Sequence, residues 1–150
     1  MRLTTYSDYA LRVLMYLALK SDGLSTIAEI AGSYNVSEAH LMKVVHQLGV
    51  AGYIETVRGR GGGLRLAKPA EAIGLAEVIR MTEPDMAIVS CLKPLNAPCK
   101  INPGCVLKRA MERAHQAFMD VLEGYTLADL VAPSGRLSNL LGISPAASTQ

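Results

Sequence analysis

Two segments at the start of the chain place apolar residues three and four positions apart, the spacing of one helix face. The first predicts a helix from about Asp8 to Lys20, with Ser7 as its N-cap. The second predicts a short helix that starts at Ser25 or Thr26, and Thr26 with Glu29 fits a capping box. Each helix would bury one apolar face and expose a polar one.

A third helical segment, residues 37–50, follows a turn-rich stretch and completes a helix-turn-helix pattern. A short strand at 53–57 then leads through a glycine-rich turn to a second strand at 64–66. That turn carries Arg58 and Arg60 among its glycines. A hairpin with a basic tip after such a helix predicts a winged helix-turn-helix head. A nucleotide-binding P-loop is excluded, because the turn joins two strands and lacks the Gly-Lys-Ser/Thr ending.

The second half of the chain combines helical patterns with one irregular stretch. A fourth helix is expected over 75–81, followed by a proline-rich segment at 84–103. A long helix should start at Pro103 behind an Asn102 cap and end at Glu123. Its apolar residues alternate by four and three positions, the spacing of a coiled coil. This apolar seam comprises Leu107, Met111, Ala114, Phe118, Val121 and Tyr125. The pattern fits a dimer-forming helix, and a helix packed on its own domain is the alternative.

Basic residues concentrate near the third helix and the wing, although the formal net charge of the chain is only +2. Between His40 and Lys68, five basic residues and one acidic residue give a local charge of +4. Such a patch predicts an anionic partner, with an ordinary solvated surface as the alternative. The chain contains no apolar run of the ~20 residues that span a bilayer. Residues 1–9 lack the apolar core of a signal peptide, so a cytoplasmic location is expected.

Three cysteines, Cys91, Cys99 and Cys105, fall within 15 residues of one another. Their spacing matches neither the Cys-x2-Cys unit of structural zinc sites nor a Cys-x-x-Cys redox pair. Cys105 is expected in the first turn of the long helix, where the helix dipole favours a thiolate. This grouping predicts metal or redox chemistry, with reduced structural thiols or a disulfide switch as alternatives. Clusters generally need four ligands, so a fourth must come from elsewhere.

Three features together resemble the iron–sulfur winged-helix regulators of the Rrf2 family. These are the opening residues 1–12 (MRLT, then DYALR three residues later), the wing at 57–66 (VRGRGGGLRL) and the later cysteines. The resemblance covers nearly the whole chain. Residues 125–131 (YTLADLV) are similar to the nitric-oxide-sensing branch of the family. The family commonly spaces its first two cysteines more closely than the seven residues that separate Cys91 and Cys99 here.

The resemblance implies a repressor whose DNA affinity depends on a metal cluster. It implies a homodimer joined through the long helices and a 4Fe–4S cluster on the three cysteines, a 2Fe–2S cluster being the alternative. It further implies an oxygen ligand, Asp8 of the partner subunit, and attack of nitric oxide on the cluster irons, which would release DNA. Members that respond to iron or cluster supply provide an alternative signal. Without the resemblance, Asp8 would be structural, in a first helical turn with Arg12 four residues on.

The expected fold class is mainly α with a small β-hairpin. A winged DNA-binding head would occupy residues 1–83 and a cluster-binding loop 84–104. The dimerisation helix and C-terminal helices would occupy 105–143, with a disordered tail at 144–150. A short helix capped by Thr126 with Asp129 is expected after the long one.

The expected partner is double-stranded DNA with a pseudo-palindromic operator. Residues Ser37, Glu38, His40 and Lys43 would face the major groove from the third helix. Residues Arg58, Gly59 and Arg60 of the wing would follow the phosphate backbone or the minor groove. No catalytic residue is assigned, because no Cys–His pair is readable. A zinc- or thiol-based interaction module is the alternative of another class, but it would leave the wing arginines without a role.

Overall fold

A mostly helical chain with one small antiparallel sheet is seen in the computed structural model, which describes residues 2–93 and 99–144. Short 3-10 turns lie at Ala70–Ala72, Ser90–Leu92 and Asn102–Gly104. In chain order the main elements are α1 (Thr5–Leu19), α2 (Ile27–Tyr34), α3 (Glu38–Val50), β1 (Ile54–Val57), β2 (Gly63–Leu66), α4 (Leu75–Thr82), α5 (Val106–Glu123), α6 (Leu127–Leu130) and α7 (Ser134–Leu140).

Helix α1 starts earlier than its sequence suggests, because the cap is Thr4 and not Ser7. The Thr4 side chain accepts a hydrogen bond from the Ser7 amide at 3.2 Å. Ser7 is fully buried, and its hydroxyl donates to Thr82 Oγ1 of α4 at 2.7 Å. The predicted cap was therefore wrong, because a contact with a distant helix occupies the Ser7 hydroxyl.

Helices α2 and α3 follow their local sequence signals closely. The predicted capping box of Thr26 and Glu29 is present at the start of α2. Asn35 ends that helix in the left-handed conformation with φ of 53°, a geometry that asparagine tolerates well. Helix α3 begins directly after Ser37, as expected, although the Ser37 side chain makes no capping hydrogen bond.

The hydrophobic core lies under the winged head and is closed by the C-terminal segment. Buried faces of α1, α2 and α3 meet the wing strand β2 and α4. Leu127 of α6 and Ile143 beyond α7 also belong to this core. The amide of Leu127 donates to the carbonyl of Ile73 at 2.8 Å, which fixes α6 against the head. The largest apolar side chains buried there are Leu14, Ile30, Leu41, Leu48, Ile73 and Leu127.

The wing is a regular two-stranded hairpin, with Ile54 opposite Leu66 and Thr56 opposite Leu64. Leu64 exchanges two backbone hydrogen bonds with Ser25, at 2.7 and 3.0 Å, which anchor the wing to the head. Glycine is required in the tip for two reasons. Gly59 has φ of 101°, and a Cβ at Gly62 would lie 2.2 Å from the Val57 carbonyl oxygen.

The start of α5 also differs from its prediction. Asn102–Gly104 forms a separate 3-10 turn, and Cys105 with extended backbone is the N-cap of a helix that starts at Val106. The helix ends at Glu123 with Gly124 as its C-cap, as the sequence indicates. Residues 145–150 of the expected disordered tail lie outside the described residues. Over the described ranges, none of the helices is long and apolar enough to span a membrane.

Candidate DNA-binding surface and cysteine segment

The orientation of α3 follows from its buried residues. Leu41, Val44, Val45 and Leu48 form one inward stripe. The opposite face is exposed and comprises Ala39, Met42, Lys43, His46 and Gln47.

Of the predicted reading residues, Ser37, Glu38 and Lys43 are exposed at the beginning of α3. His40 is exposed too, but it lies on the flank towards α1, with its ring 6.3 Å from that of Tyr9. The sequence interpretation did not include Met42, which is 59% exposed. A helical projection of the segment would have found it, because the buried stripe fixes which residues point outward.

The basic residues of the head separate into two groups according to their contacts. Arg65 pairs with Glu55 across the hairpin at 2.9 Å, and the Lys68 ammonium lies 4.6 Å from the centre of the Tyr53 ring. By contrast, Lys43, Arg58 and Arg60 are exposed and have no ion pair among the described residues. The second group lies on the outer face of α3 and at the wing tip, where it can meet phosphates.

The three cysteines are free thiols in the segment that links the head to α5. Cys91 and Cys99 are exposed, and Cys105 is partly buried. Cys105 Sγ accepts a hydrogen bond from the Lys108 amide at 3.4 Å. An N–H donor at a helix N-terminus suits a sulfur that carries negative charge.

Local contacts brace the part of the segment that contains Cys91. The Lys93 ammonium lies 2.7 Å from the Asp85 carboxylate. Asp85 also accepts a hydrogen bond from the Ala87 amide at 2.9 Å. Hydrogen bonding to Lys93, and then to Ala87, holds the pKa of Asp85 below its usual range. These contacts close a small loop around the 3-10 turn Ser90–Leu92.

Within the residues that the structure describes, no three His, Cys, Asp or Glu side chains are close enough together to hold a metal ion. The predicted convergence of the three thiols is thus not seen in the single chain. Their chemistry nevertheless fits an iron–sulfur group, since all three cysteines are outside disulfide bonds and none is deeply buried.

Asp8 lies one turn inside α1 and has the partner that its spacing predicts. Its carboxylate lies 3.0 Å from the Arg12 guanidinium, and its side chain remains 48% exposed. The Arg12 guanidinium carbon lies 5.5 Å from the centre of the Tyr34 ring. Burial raises the pKa of Tyr34 to about 12, so the ring stays neutral beside the cation. Arg12 therefore holds Asp8 in place without covering it.

A second carboxylate, Glu83, connects the start of α1 to the end of α4. It accepts hydrogen bonds from the Thr4 amide at 2.7 Å and the Thr4 hydroxyl at 3.1 Å, and it contacts the Ser7 hydroxyl. Burial opposes the charge, but the bonds from Ser7 and Thr4 hold the pKa of Glu83 below its usual range. Because Glu83 directly precedes the cysteine segment, it fixes the start of that segment to the helix that carries Asp8. Sequence reasoning missed this role, since Thr4 and Glu83 are 79 positions apart.

Helix α5 exposes much of its apolar seam. The exposed fractions are 57% for Leu107, 62% for Val121 and 48% for Tyr125. Met119 on the other side is buried, and Arg80 of α4 pairs with Glu123. The helix thus packs on its own head through one side only. The predicted seam is therefore divided: Met111 and Phe118 are half-buried, and Phe118 lines a cavity with Leu3 and Glu83 of the head. The exposed seam residues are Leu107, Ala114, Val121 and Tyr125.

An exposed third helix followed by a basic wing defines a winged helix-turn-helix DNA-binding regulator. Residues 3–133 match the Rrf2 family, which is described as an iron-dependent transcriptional regulator family. The match covers most of the chain, and the chain therefore belongs to the Rrf2 family.

Curated relatives support this assignment along the whole chain. The chain is 47% identical over 142 residues to the HTH-type transcriptional regulator NsrR of Bacillus licheniformis, covering 94% of this chain and 99% of that protein. It is 48% identical over 142 residues to NsrR of Bacillus subtilis, covering 94% and 97%. Relatives with this name are transcriptional regulators, and the chain is not an enzyme.

Solved structures agree with the winged-helix fold. The structure of CymR, named as the global cysteine regulator of B. subtilis, superposes with a TM-score of 0.71 at 28% identity, covering 88% of this chain and 97% of that one. The IscR structure from T. potens gives a TM-score of 0.71 at 24% identity, covering 91% and 90%, and supports the fold alone.

Proposed function

We propose that this chain is a homodimeric repressor that senses nitric oxide through a 4Fe–4S cluster. The cluster would be held by Cys91, Cys99, Cys105 and Asp8 of the partner subunit. The observation that carries the proposal is the position of three free thiols in the segment between a DNA-binding head and an exposed apolar helix. The NsrR relatives are named as transcriptional regulators, which supports the regulatory role. The nitric oxide signal rests on the resemblance of residues 125–131.

Three exposed basic side chains without an ion pair among the described residues support DNA binding. Lys43 on α3 and the wing arginines Arg58 and Arg60 are exposed. We infer that α3 enters the major groove, with Ser37, Glu38 and Lys43 foremost and His40 at the flank. Gly59 allows the wing backbone to approach a phosphate closely.

The three cysteine thiols support the binding of an iron–sulfur cluster. Thiolates are the usual ligands of iron–sulfur groups, and three are present in one short segment. A bound cluster would supply iron that reacts with nitric oxide. The thiolate of Cys105 would be supported by the Lys108 amide. Asp8 is half exposed and so can reach an adjacent subunit, provided that its carboxylate leaves Arg12.

The dimer is supported by the shape and composition of α5. A helix of 18 residues is about 27 Å long at ~1.5 Å per residue. Its exposed seam, including Leu107 and Val121, recurs with the spacing of a coiled coil. A second copy can cover this seam with the same face, as in an isologous two-fold interface. A two-fold dimer would place two heads on a pseudo-palindromic operator.

The proposed switch depends on the contacts that join the cysteine segment to α1. Glu83 binds Thr4 at the helix N-terminus, and Asp8 follows one turn later. Tyr9, the next residue, lies beside His40 of α3. When the thiolates hold the cluster, the segment and α1 would be fixed together; loss of that ligation would free both and shift α3.

The decisive experiment is anaerobic purification of the full chain with iron and sulfide analysis, followed by titration with nitric oxide. Operator DNA would first be selected from a random library, and its affinity measured at fixed salt. We expect four irons and four sulfides per chain, and a large loss of affinity on addition of nitric oxide. A colourless protein that binds zinc, or an affinity that nitric oxide leaves unchanged, would contradict the proposal. Loss of affinity on iron removal alone would favour a regulator of iron or cluster supply.

Matched variants separate ligation from structural effects. Cys99→Ala should lose the cluster, whereas Ile101→Ala, at a 66% exposed position in the same segment, should retain it. Asp8→Ala and Arg12→Ala both break the ion pair, but only the first removes a carboxylate. An altered cluster spectrum in Asp8→Ala alone would support ligation by Asp8. Equal spectra in both variants would assign Asp8 a structural role.

A further inference from the structure

Met42 is an exposed apolar side chain on the outer face of α3. We propose that Met42 contacts the 5-methyl group of a thymine in the major groove and so selects a T·A pair at one position of each operator half-site. This inference rests on the proposed function, in which α3 enters that groove.

The position of Met42 on the helix favours contact with a base over contact with a phosphate. It lies five residues after the Ser37 cap, within the first two turns, and the N-terminal part of a reading helix commonly contacts base edges. Ala39 is three residues earlier on the same side of the helix. Its side chain is a single methyl group, which leaves space for the longer Met42 chain to approach a base.

The chemistry of Met42 matches one group in the groove. Thymine presents a methyl group there, whereas cytosine presents an N4 amine that donates hydrogen bonds. A thioether side chain is apolar and adaptable. If it covered the cytosine amine, that donor would lose water without gaining a good acceptor. Met42 should therefore favour thymine over cytosine, while the neighbouring Lys43 offers a cation to a phosphate or a guanine.

The exposure of Met42 is not by itself evidence of DNA contact, so its position on the helix has to be considered too. Single exposed apolar residues are common, and Val50 on the same helix is 78% exposed. Val50, however, is the last residue of α3, about 12 Å further along the axis at ~1.5 Å per residue. It therefore provides a matched control: an exposed apolar side chain on the same helix, outside the N-terminal turns.

The test uses full-length protein purified without oxygen. Binding sequences are selected from a random double-stranded library with the wild type, Met42→Ala and Val50→Ala. Each thymine of the selected site is then replaced by deoxyuridine, which removes only the methyl group. For wild type and Val50→Ala, we expect about fourfold weaker binding at one thymine per half-site, the effect of losing one buried methyl. For Met42→Ala, this sensitivity should vanish and the selected sequences should lose the thymine preference there.

Two outcomes would overturn the inference: uracil substitution without effect at every position, or the same uracil sensitivity in Met42→Ala as in the wild type. A further variant, Lys43→Glu, keeps this result separate from the proposed function. If Lys43→Glu binds DNA as tightly as the wild type, α3 does not enter the groove and the proposed function fails. If it binds all sequences weakly while Met42→Ala keeps its thymine preference, only the role of Met42 fails.

Discussion

The winged head and the cysteine segment differ in how their conformations are determined. The head buries apolar side chains from six elements in one core, to which residues 127 and 143 also contribute. In residues 84–93 and 99–105, which are the described part of the segment, no side chain is fully buried. Short-range contacts such as Asp85–Lys93 hold it. A region with little buried apolar surface can change conformation at small free-energy cost. The core of the head, completed by residues 127 and 143, contains no described residue of the segment. We therefore expect that ligands bound to the segment can move it without unfolding the head.

The largest effect should come from opening the core of the head. Leu48 is fully buried, and Leu48→Ala should lower the free energy of unfolding by about 3 kcal/mol, through lost burial and a residual cavity. Ile101→Ala in the cysteine segment should change it by less than about 0.5 kcal/mol, because that side chain is largely exposed. Urea denaturation of the iron-free chain followed by circular dichroism measures both. Similar losses in the two variants would refute the contrast.

Local sequence signals predicted most of the head and little of its connection to the cysteine segment. Thr26 and Thr126 each cap a helix with an acid three residues later, and both capping boxes are present. These signals are local, so the sequence reveals them. The cap of α1 is itself a local bond between Thr4 and the Ser7 amide. The contact that occupies the Ser7 hydroxyl and the role of Glu83, by contrast, depend on residues 75 or more positions apart. Sequence periodicity carries no information about such contacts.

For the cysteines, the sequence indicates which residues can bind a metal but not how the backbone arranges them. Their number and chemistry predicted a cluster site, but a single chain does not bring three such ligands together in its described residues. Asn102 and Pro103 are a good local helix start, yet they form a 3-10 turn and leave Cys105 as the cap. An interpretation from sequence could therefore name the donors while missing the backbone that presents them.

Variants of the wing arginines should change DNA affinity without changing iron binding. Arg58→Ala with Arg60→Ala should weaken operator binding about thirtyfold, or about 2 kcal/mol, and reduce its salt dependence. Arg65→Ala should have a much smaller effect, because that guanidinium is paired with Glu55. Iron content should stay the same in all of them. Binding titrations at several salt concentrations measure the effect. If Arg65→Ala weakened operator binding as much as the double variant of Arg58 and Arg60, the total positive charge of the wing, and not the position of each arginine, would determine DNA affinity.

A smaller loss of stability than in Leu48→Ala is expected from removing Glu83, which joins the start of the cysteine segment to α1. Glu83→Ala removes the acceptor for the Thr4 amide and hydroxyl, so it should destabilise the chain by about 1–2 kcal/mol. Glu83→Gln keeps an oxygen acceptor and should lose less. Gln116→Ala, at an exposed position within α5, provides a control with little expected effect.

The pH dependence distinguishes the Glu83 carboxylate from a merely space-filling side chain. Burial raises the pKa of Glu83, but the hydrogen bonds from Ser7 and Thr4 together lower it by more, so this pKa lies below its usual range in the folded chain. Its charge therefore contributes stability above the unfolded-state pKa of about 4.3, and that contribution is lost as pH falls through the lower folded-state value. The stability difference between the wild type and Glu83→Gln should be full at neutral pH and decline below about pH 4. A difference that stays constant down to pH 3 would show that the charge of Glu83 does not hold the two regions together.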